Sequence, residues 1–141
     1  MNHSNTDILI FISDLGPGGS QRVACNLAAY WHELGRTVTI VTLSDPEYDF
    51  FTIPSGIRRE TIGLQSVSAL FFTGLVKNIR RVWRLRRIFS RLRPAVAIGF
   101  VGPSSVLLVA AAIATDIRTI AAERNDPSKQ TFGRIWDLLR D

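Results

Sequence analysis

Ile8-Leu9-Ile10-Phe11-Ile12-Ser13-Asp14-Leu15-Gly16-Pro17-Gly18-Gly19-Ser20-Gln21-Arg22-Val23 is the stretch that decides the fold. Ile8 to Ile12 is a short, unbroken apolar run rich in isoleucine, and it stops at Ser13-Asp14. A strand buried on both faces in a parallel sheet reads this way. Gly16 to Ser20 then supplies a turn. Val23, Leu27, Tyr30, Trp31 and Leu34 follow at helical spacing, and Gly35 is placed to end that helix in a left-handed cap.

The same alternation continues outward. Thr37 to Leu43 is β-branched and predicts a second strand. Ser44 to Gly56 is rich in turn formers. Ile57 to Leu64 predicts a third strand, more polar and so nearer the sheet edge. Val67 to Leu92 has helical spacing, with Gly74 as a point where the helix can break and a stop before Pro94. Ala95 to Phe100 predicts a fourth strand. Ser104 or Ser105 can cap a helix over Val106 to Ala114. Arg118 to Ala122 predicts a fifth strand, followed by a loop and a last helical segment from Phe132. No repeat or low-complexity segment is present. Strand and helix alternating in this order imply parallel pairing with right-handed crossovers. The expected fold is therefore α/β: a Rossmann-like, doubly wound parallel sheet covered by helices on both faces. Ligands of such sheets sit at the carboxyl ends of the strands, at the switch point between the first strand and the fourth. The loops 14–20 and 99–105 should meet there, with 123–126 at the same edge.

Composition narrows the class. The chain has 141 residues, 46% apolar and 21% charged, which suits one globular domain and excludes a disordered chain. Its net charge is +5, and the excess is local. No Asp or Glu lies between Thr61 and Thr115, while Lys77 and seven arginines fall between Lys77 and Arg93. A phosphate, a nucleotide or an anionic lipid surface is a fitting partner. Cys25 is the only cysteine, so no internal disulfide can form, as suits a reducing cytosol. Residues 1–7 lack the basic and apolar regions of a signal peptide. The sequence stops inside a helical pattern without a cap, as a fragment would.

Four segments can carry chemistry. In the glycine turn, the first amides of the following helix lack internal partners, and the helix dipole favours an anion. A phosphate can sit on Gly18, Gly19 and Ser20; a tight turn with no ligand is the plainer reading. Gln21 stands where a dinucleotide fingerprint has its third glycine, and no Gly-Lys-Ser/Thr is present. The second segment is Ala122-Glu123-Arg124-Asn125-Asp126-Pro127. Glu123 can accept sugar hydroxyls or act as a base, Arg124 can hold phosphate, and Asn125 can donate and accept. A solvated turn accounts for the same residues.

The third is the basic helix, with Ile79, Val82, Trp83, Leu85, Ile88, Phe89 and Leu92 as a broad apolar face for the sheet. Its arginines either solubilise the outer face or, at Arg80, Arg84 and Arg87, face an anionic membrane. No nucleic-acid-binding motif surrounds it. The fourth is Ala95 to Ala114, twenty uncharged residues, interrupted by Gly99, Gly102, Pro103, Ser104 and Ser105. Strand, turn and helix explain that interruption better than a membrane span. His3 and His32 have no companions at metal-ligand spacing, so no metal is expected, and Cys25 reads as core rather than nucleophile.

Taken together, the strand and glycine turn through Val23, Leu34 to Thr42, Leu92-Arg93-Pro94 ahead of a strand, and Ala122 to Pro127 resemble bacterial glycosyltransferases of family 4. Ser20 and Gln21 replace the usual Ala and Glu of that family's turn. The resemblance covers nearly the whole chain. It implies one half of a GT-B architecture: residues 1–141 as the amino-terminal, acceptor-side domain, with the carboxy-terminal donor domain absent. It implies a retaining, metal-independent transfer of sugar from a nucleotide-sugar to a glycan or lipid-linked acceptor in cell-surface polysaccharide synthesis. The setting would be the cytoplasm or the inner face of the membrane. By matching position, Gly18 and Gly19 would face the donor phosphates, and Glu123, Arg124 and Asn125 would line the cleft. No residue is assigned as catalytic base, no cofactor is implied, and the chain alone would not complete transfer. Two other readings stay open. One is a stand-alone nucleotide- or dinucleotide-binding module in which Asp45 meets a ribose. The other is a non-catalytic membrane adaptor built on the basic helix.

Overall fold

A computed structural model describes residues 5–63 and 71–122. Five parallel strands form one sheet in the order β3-β2-β1-β4-β5. They are β1 (Ile8–Ile12), β2 (Val38–Thr42), β3 (Arg58–Thr61), β4 (Val96–Phe100) and β5 (Arg118–Ala122). The helices are α1 (Gly19–Glu33), α2 (Phe71–Leu92) and α3 (Gly102–Ala112). This is the expected α/β Rossmann-like fold. The order runs outward from β1 in one direction and from β4 in the other, so the switch point lies between them. Polar β3 is an edge strand, as its composition implied.

Side-chain alternation divides the core into two layers. On one face Ile10, Ile12, Ile40, Ile98 and Phe100 pack beneath α1. On the other, Leu9, Phe11, Val41 and Ala97 pack beneath α2 and α3. The central strands are buried on both faces, which is why they read as unbroken apolar runs. α1 buries Ala24, Cys25 and Ala28, with Val23, Leu27 and Trp31 alongside, while Tyr30 and Leu34 stay exposed. Small residues let this helix lie close to the sheet. Gly35 closes it at φ +80°, as its position predicted. The stretch 95–114 is strand β4, a turn and α3, and among the described residues no helix is long and apolar enough to cross a membrane.

Three expectations need correction. α2 runs unbroken through Gly74, because one helical glycine costs only about 1 kcal/mol and does not force a break. α3 starts at Gly102 rather than Val106, and neither Ser104 nor Ser105 caps it. Pro103 lies in its first turn, where a fixed φ favours helix and the missing N–H is no loss. The apolar face of α2 is also narrower than its spacing implied. Leu85, Ile88, Phe89 and Leu92 are buried, but Ile79 and Trp83 are exposed.

Candidate functional site

The carboxyl ends of β1 and β4 deliver two turns to one edge of the sheet, and a hydrogen bond joins them. Ser13 Oγ and Ser104 Oγ lie 3.1 Å apart. The Ser13 carbonyl also accepts from the Leu43 and Ser44 amides at 3.0 and 3.1 Å, fixing the end of β1 against the end of β2. The loops 14–20 and 99–105 leave the sheet at the same edge, and the bond between them comes from Ser13, one residue ahead of the first loop.

The β1–α1 turn is held from its own side chains. Asp14 Oδ1 accepts the Gly16 amide at 2.9 Å and the Gln21 side-chain amide at 3.1 Å. This gives Gln21 a role: a glutamate there would set a second carboxylate against Asp14. Leu15 is fully buried beneath the turn, and its carbonyl accepts the Phe50 amide at 2.9 Å. The β2–β3 loop thereby braces the turn from outside. That loop is itself fixed by a bidentate ion pair, Arg59 Nε and Nη2 each 2.9 Å from Asp49.

Gly18 is the N-cap of α1 in extended conformation, with no side-chain cap bond and no acidic residue in the first turn. The first helical bond runs from the Arg22 amide to the Gly18 carbonyl at 3.0 Å. The amides of Gly19, Ser20 and Gln21 therefore precede the helical ladder and are aimed out of its end. A Cβ built on Gly19 would meet nothing within 4 Å. Gly19 is exposed, and the dipole of α1 favours negative charge at this end of the helix. Gly18 differs, because a side chain there would press on the Gln21 amide oxygen.

The β4–α3 turn is tight. A Cβ on Gly99 would lie 2.8 Å from Ser105 Cα, so this glycine is what lets α3 cross over β4. Ser105 Oγ donates to the Gly99 carbonyl at 3.0 Å. Val101 has φ +69°, a region that a β-branched residue rarely enters. Its amide donates to the Ala122 carbonyl at 3.3 Å, which ties the turn to the end of β5. Sequence reading missed both features: Gly99 looked like one of several turn glycines, and nothing in a valine announces positive φ.

β5 brings the chain to this same edge at Ala122, paired with Phe100. Glu123, Arg124 and Asn125 lie outside the described residues, so the site stands on Gly18, Gly19 and Ser20 with Ser13 and Ser104. Asp45 is exposed just beyond β2, with Thr61 Oγ1 donating to it at 3.4 Å. Cys25 is buried under α1, as its sequence reading held. Burial pushes its thiol above the usual range, with the Asp49 carboxylate adding to the shift and Arg59 opposing it. A neutral thiol of this kind is a poor nucleophile.

Residues 18–139 match the glycosyl transferase 4-like domain family. The chain belongs to that family. Membership implies a sugar donor and an acceptor as substrates in general. No curated protein matches the sequence. Two solved structures share the fold. One is the C-terminal domain of a hydrogenase from Pyrococcus furiosus, 10% identical, with a TM-score of 0.59 over 83% of this chain and 91% of the other. The second is a conserved protein from Thermus thermophilus, 16% identical, with a TM-score of 0.58 over 86% of this chain and 68% of the other. At such identities the likeness concerns the fold alone.

Proposed function

We propose that this glycosyltransferase 4-like chain is the acceptor-side half of a retaining GT-B enzyme that moves a sugar from a nucleotide-sugar to a glycan or lipid-linked acceptor. The open glycine turn at the carboxyl edge carries this reading. The amides of Gly19 and Ser20 meet the donor's diphosphate, with Gly18 setting the start of the helix. Glu123, Arg124 and Asn125, which follow β5 in sequence, line the cleft near the acceptor or donor sugar. A second, carboxy-terminal domain supplies most donor contacts, so this chain alone does not complete transfer. The pathway is cell-surface polysaccharide assembly on the cytoplasmic side of the membrane.

Backbone amides suit this task because they hold phosphate without a metal. They are preorganised, so they stabilise the charge that grows on the leaving diphosphate as the glycosidic bond breaks. Two-dimensional amide spectra of the chain, titrated with a panel of uridine and guanosine diphosphate sugars, test the reading. Shifts concentrated at Gly18 to Gln21 support it. Tight binding of NAD with shifts at Asp45 favours the dinucleotide module instead, and no shift at the turn with any ligand overturns both.

A further inference from the structure

The β2–β3 loop carries side chains that neither the core nor the glycine turn uses. It opens with Ser44-Asp45-Pro46-Glu47-Tyr48-Asp49-Phe50-Phe51. One turn of 3-10 helix covers Pro46–Tyr48, and Asp49 after it is extended, with φ −70° and ψ 123°. Side chains alternate along extended backbone, so Tyr48 and Phe50 project to one side and Asp49 to the other. Burial agrees with this. Tyr48 and Phe50 are 64% and 65% exposed, while the Asp49 carboxylate meets Arg59. At the extended rise per residue the two rings are rooted about 6.6 Å apart.

Both rings stand on a fixed base. The guanidinium that grips Asp49 also donates to the Glu60 and Ser44 carbonyls. The Phe50 ring meets Phe51 edge to face, with 5.1 Å between centres, and Phe51 packs against the core beneath α1. The Phe50 amide bonds to the Leu15 carbonyl, and Leu15 lies four residues from Gly19, at most about 14 Å along the chain. The rings therefore stand beside the glycine turn at the carboxyl edge. The charge around them has one sign. Asp45 and Glu47 are exposed, and no Lys or Arg occurs between Ser44 and Ile57. A hydrogen bond to the Glu47 carboxylate, and then its charge, push the Tyr48 hydroxyl above its usual range, so it stays neutral.

We propose that Tyr48 and Phe50, with Asp45 and Glu47, form a subsite for an uncharged sugar ring of the acceptor. This rests on the transferase reading above and adds the class of sugar that the acceptor presents. The C–H face of a pyranose lies on the aromatic rings, and the carboxylates accept its hydroxyls. Aromatic rings beside acceptor-only groups match a ligand that is apolar on its face and rich in donors at its rim. The same carboxylates repel a uronic acid or a phosphorylated sugar, so acidic glycans are selected against. Nucleic acid and an anionic bilayer meet the same repulsion. Charge thus sorts the two substrates along one edge: the phosphates of the donor go to the start of α1, and the neutral acceptor goes to the loop.

Amide spectra of the chain, titrated with maltotriose, cellotriose and mannotriose, and with trigalacturonic acid as the acidic counterpart, test the proposal. At least one neutral trisaccharide should shift the amides from Glu47 to Phe51, and trigalacturonic acid should bind more weakly by about tenfold. Tyr48→Ala combined with Phe50→Ala should lower the neutral affinity by about tenfold, whereas Tyr48→Phe combined with Phe50→Tyr should keep it. Both positions are exposed, so the melting temperature should barely move. Asp45→Asn combined with Glu47→Gln should narrow the gap between neutral and acidic trisaccharides. No shift with any neutral trisaccharide, equal binding of trigalacturonic acid, or affinity untouched by the double alanine variant each overturns the proposal. So does a trilysine peptide that binds these amides more tightly than every trisaccharide. Nucleotide-sugar shifts at Gly18 to Gln21 without trisaccharide shifts in the loop overturn this subsite alone. Trisaccharide shifts in the loop without donor shifts at the turn support the subsite and tell against the transferase.

Discussion

The two turns at the carboxyl edge are built in opposite ways. The β1–α1 turn has three glycines, and none of them has positive φ. The β4–α3 turn places its positive φ on Val101 and uses Gly99 for close packing. In the second turn the glycine is demanded by the fold, because α3 lies against its Cα. In the first, Gly19 faces open space, and the fold alone does not require it. A glycine with no steric duty, at the free amides of a helix start, leaves the room that the proposed phosphate contact needs. If the proposed function holds, the difference separates a structural turn from a binding turn within one edge of one sheet.

Substitutions can break this contrast. The largest effect is expected from Gly99→Val. Its Cβ would meet Ser105 backbone at 2.8 Å, which cannot swing aside as a side-chain end can. A loss of about 3 kcal/mol in denaturant unfolding is expected; a loss under about 1 kcal/mol would mean that α3 shifts freely. Gly19→Ala should do the reverse. Stability should stay within about 0.5 kcal/mol or rise slightly, since alanine suits a helix better. Donor binding in the turn should weaken by about tenfold, because a methyl group then crowds the amides. Equal donor affinity would remove the distinction between the turns. Val101→Gly sharpens the comparison from the other side. Release of the positive-φ strain, offset by the chain entropy of glycine, should raise stability by roughly 1 kcal/mol in the same unfolding assay.

α2 makes a second contrast, between its lower and upper halves. Both carry apolar residues at helical spacing, so periodicity alone assigned Ile79 and Trp83 to the core along with Leu85 and Phe89. The lower half meets the sheet, but the upper half rises beyond it and keeps the same pattern in solvent. The helix has 22 residues and the strand beneath it no more than 5, and a sequence pattern does not report that mismatch.

Much was legible in the residues themselves. The apolar runs marked β1 and β4, the more polar composition of 57–64 marked an edge strand, and Gly35 ended α1 where a left-handed cap was needed. These are local matters: burial on both faces, β-branching and backbone freedom act over a few residues, so a few residues reveal them. Asp14 holding Gln21, Ser13 meeting Ser104 across 91 positions, Phe50 bracing Leu15 and the strain at Val101 are of another kind. Each depends on which segments the sheet order brings together, or on how closely one helix crosses one strand. Sequence alone determined that a glycine turn would open a helix at the end of β1. Tertiary structure alone decided that Gly19 looks onto open space while Gly99 is pressed against α3, because the room around a Cα is set by its neighbours in space.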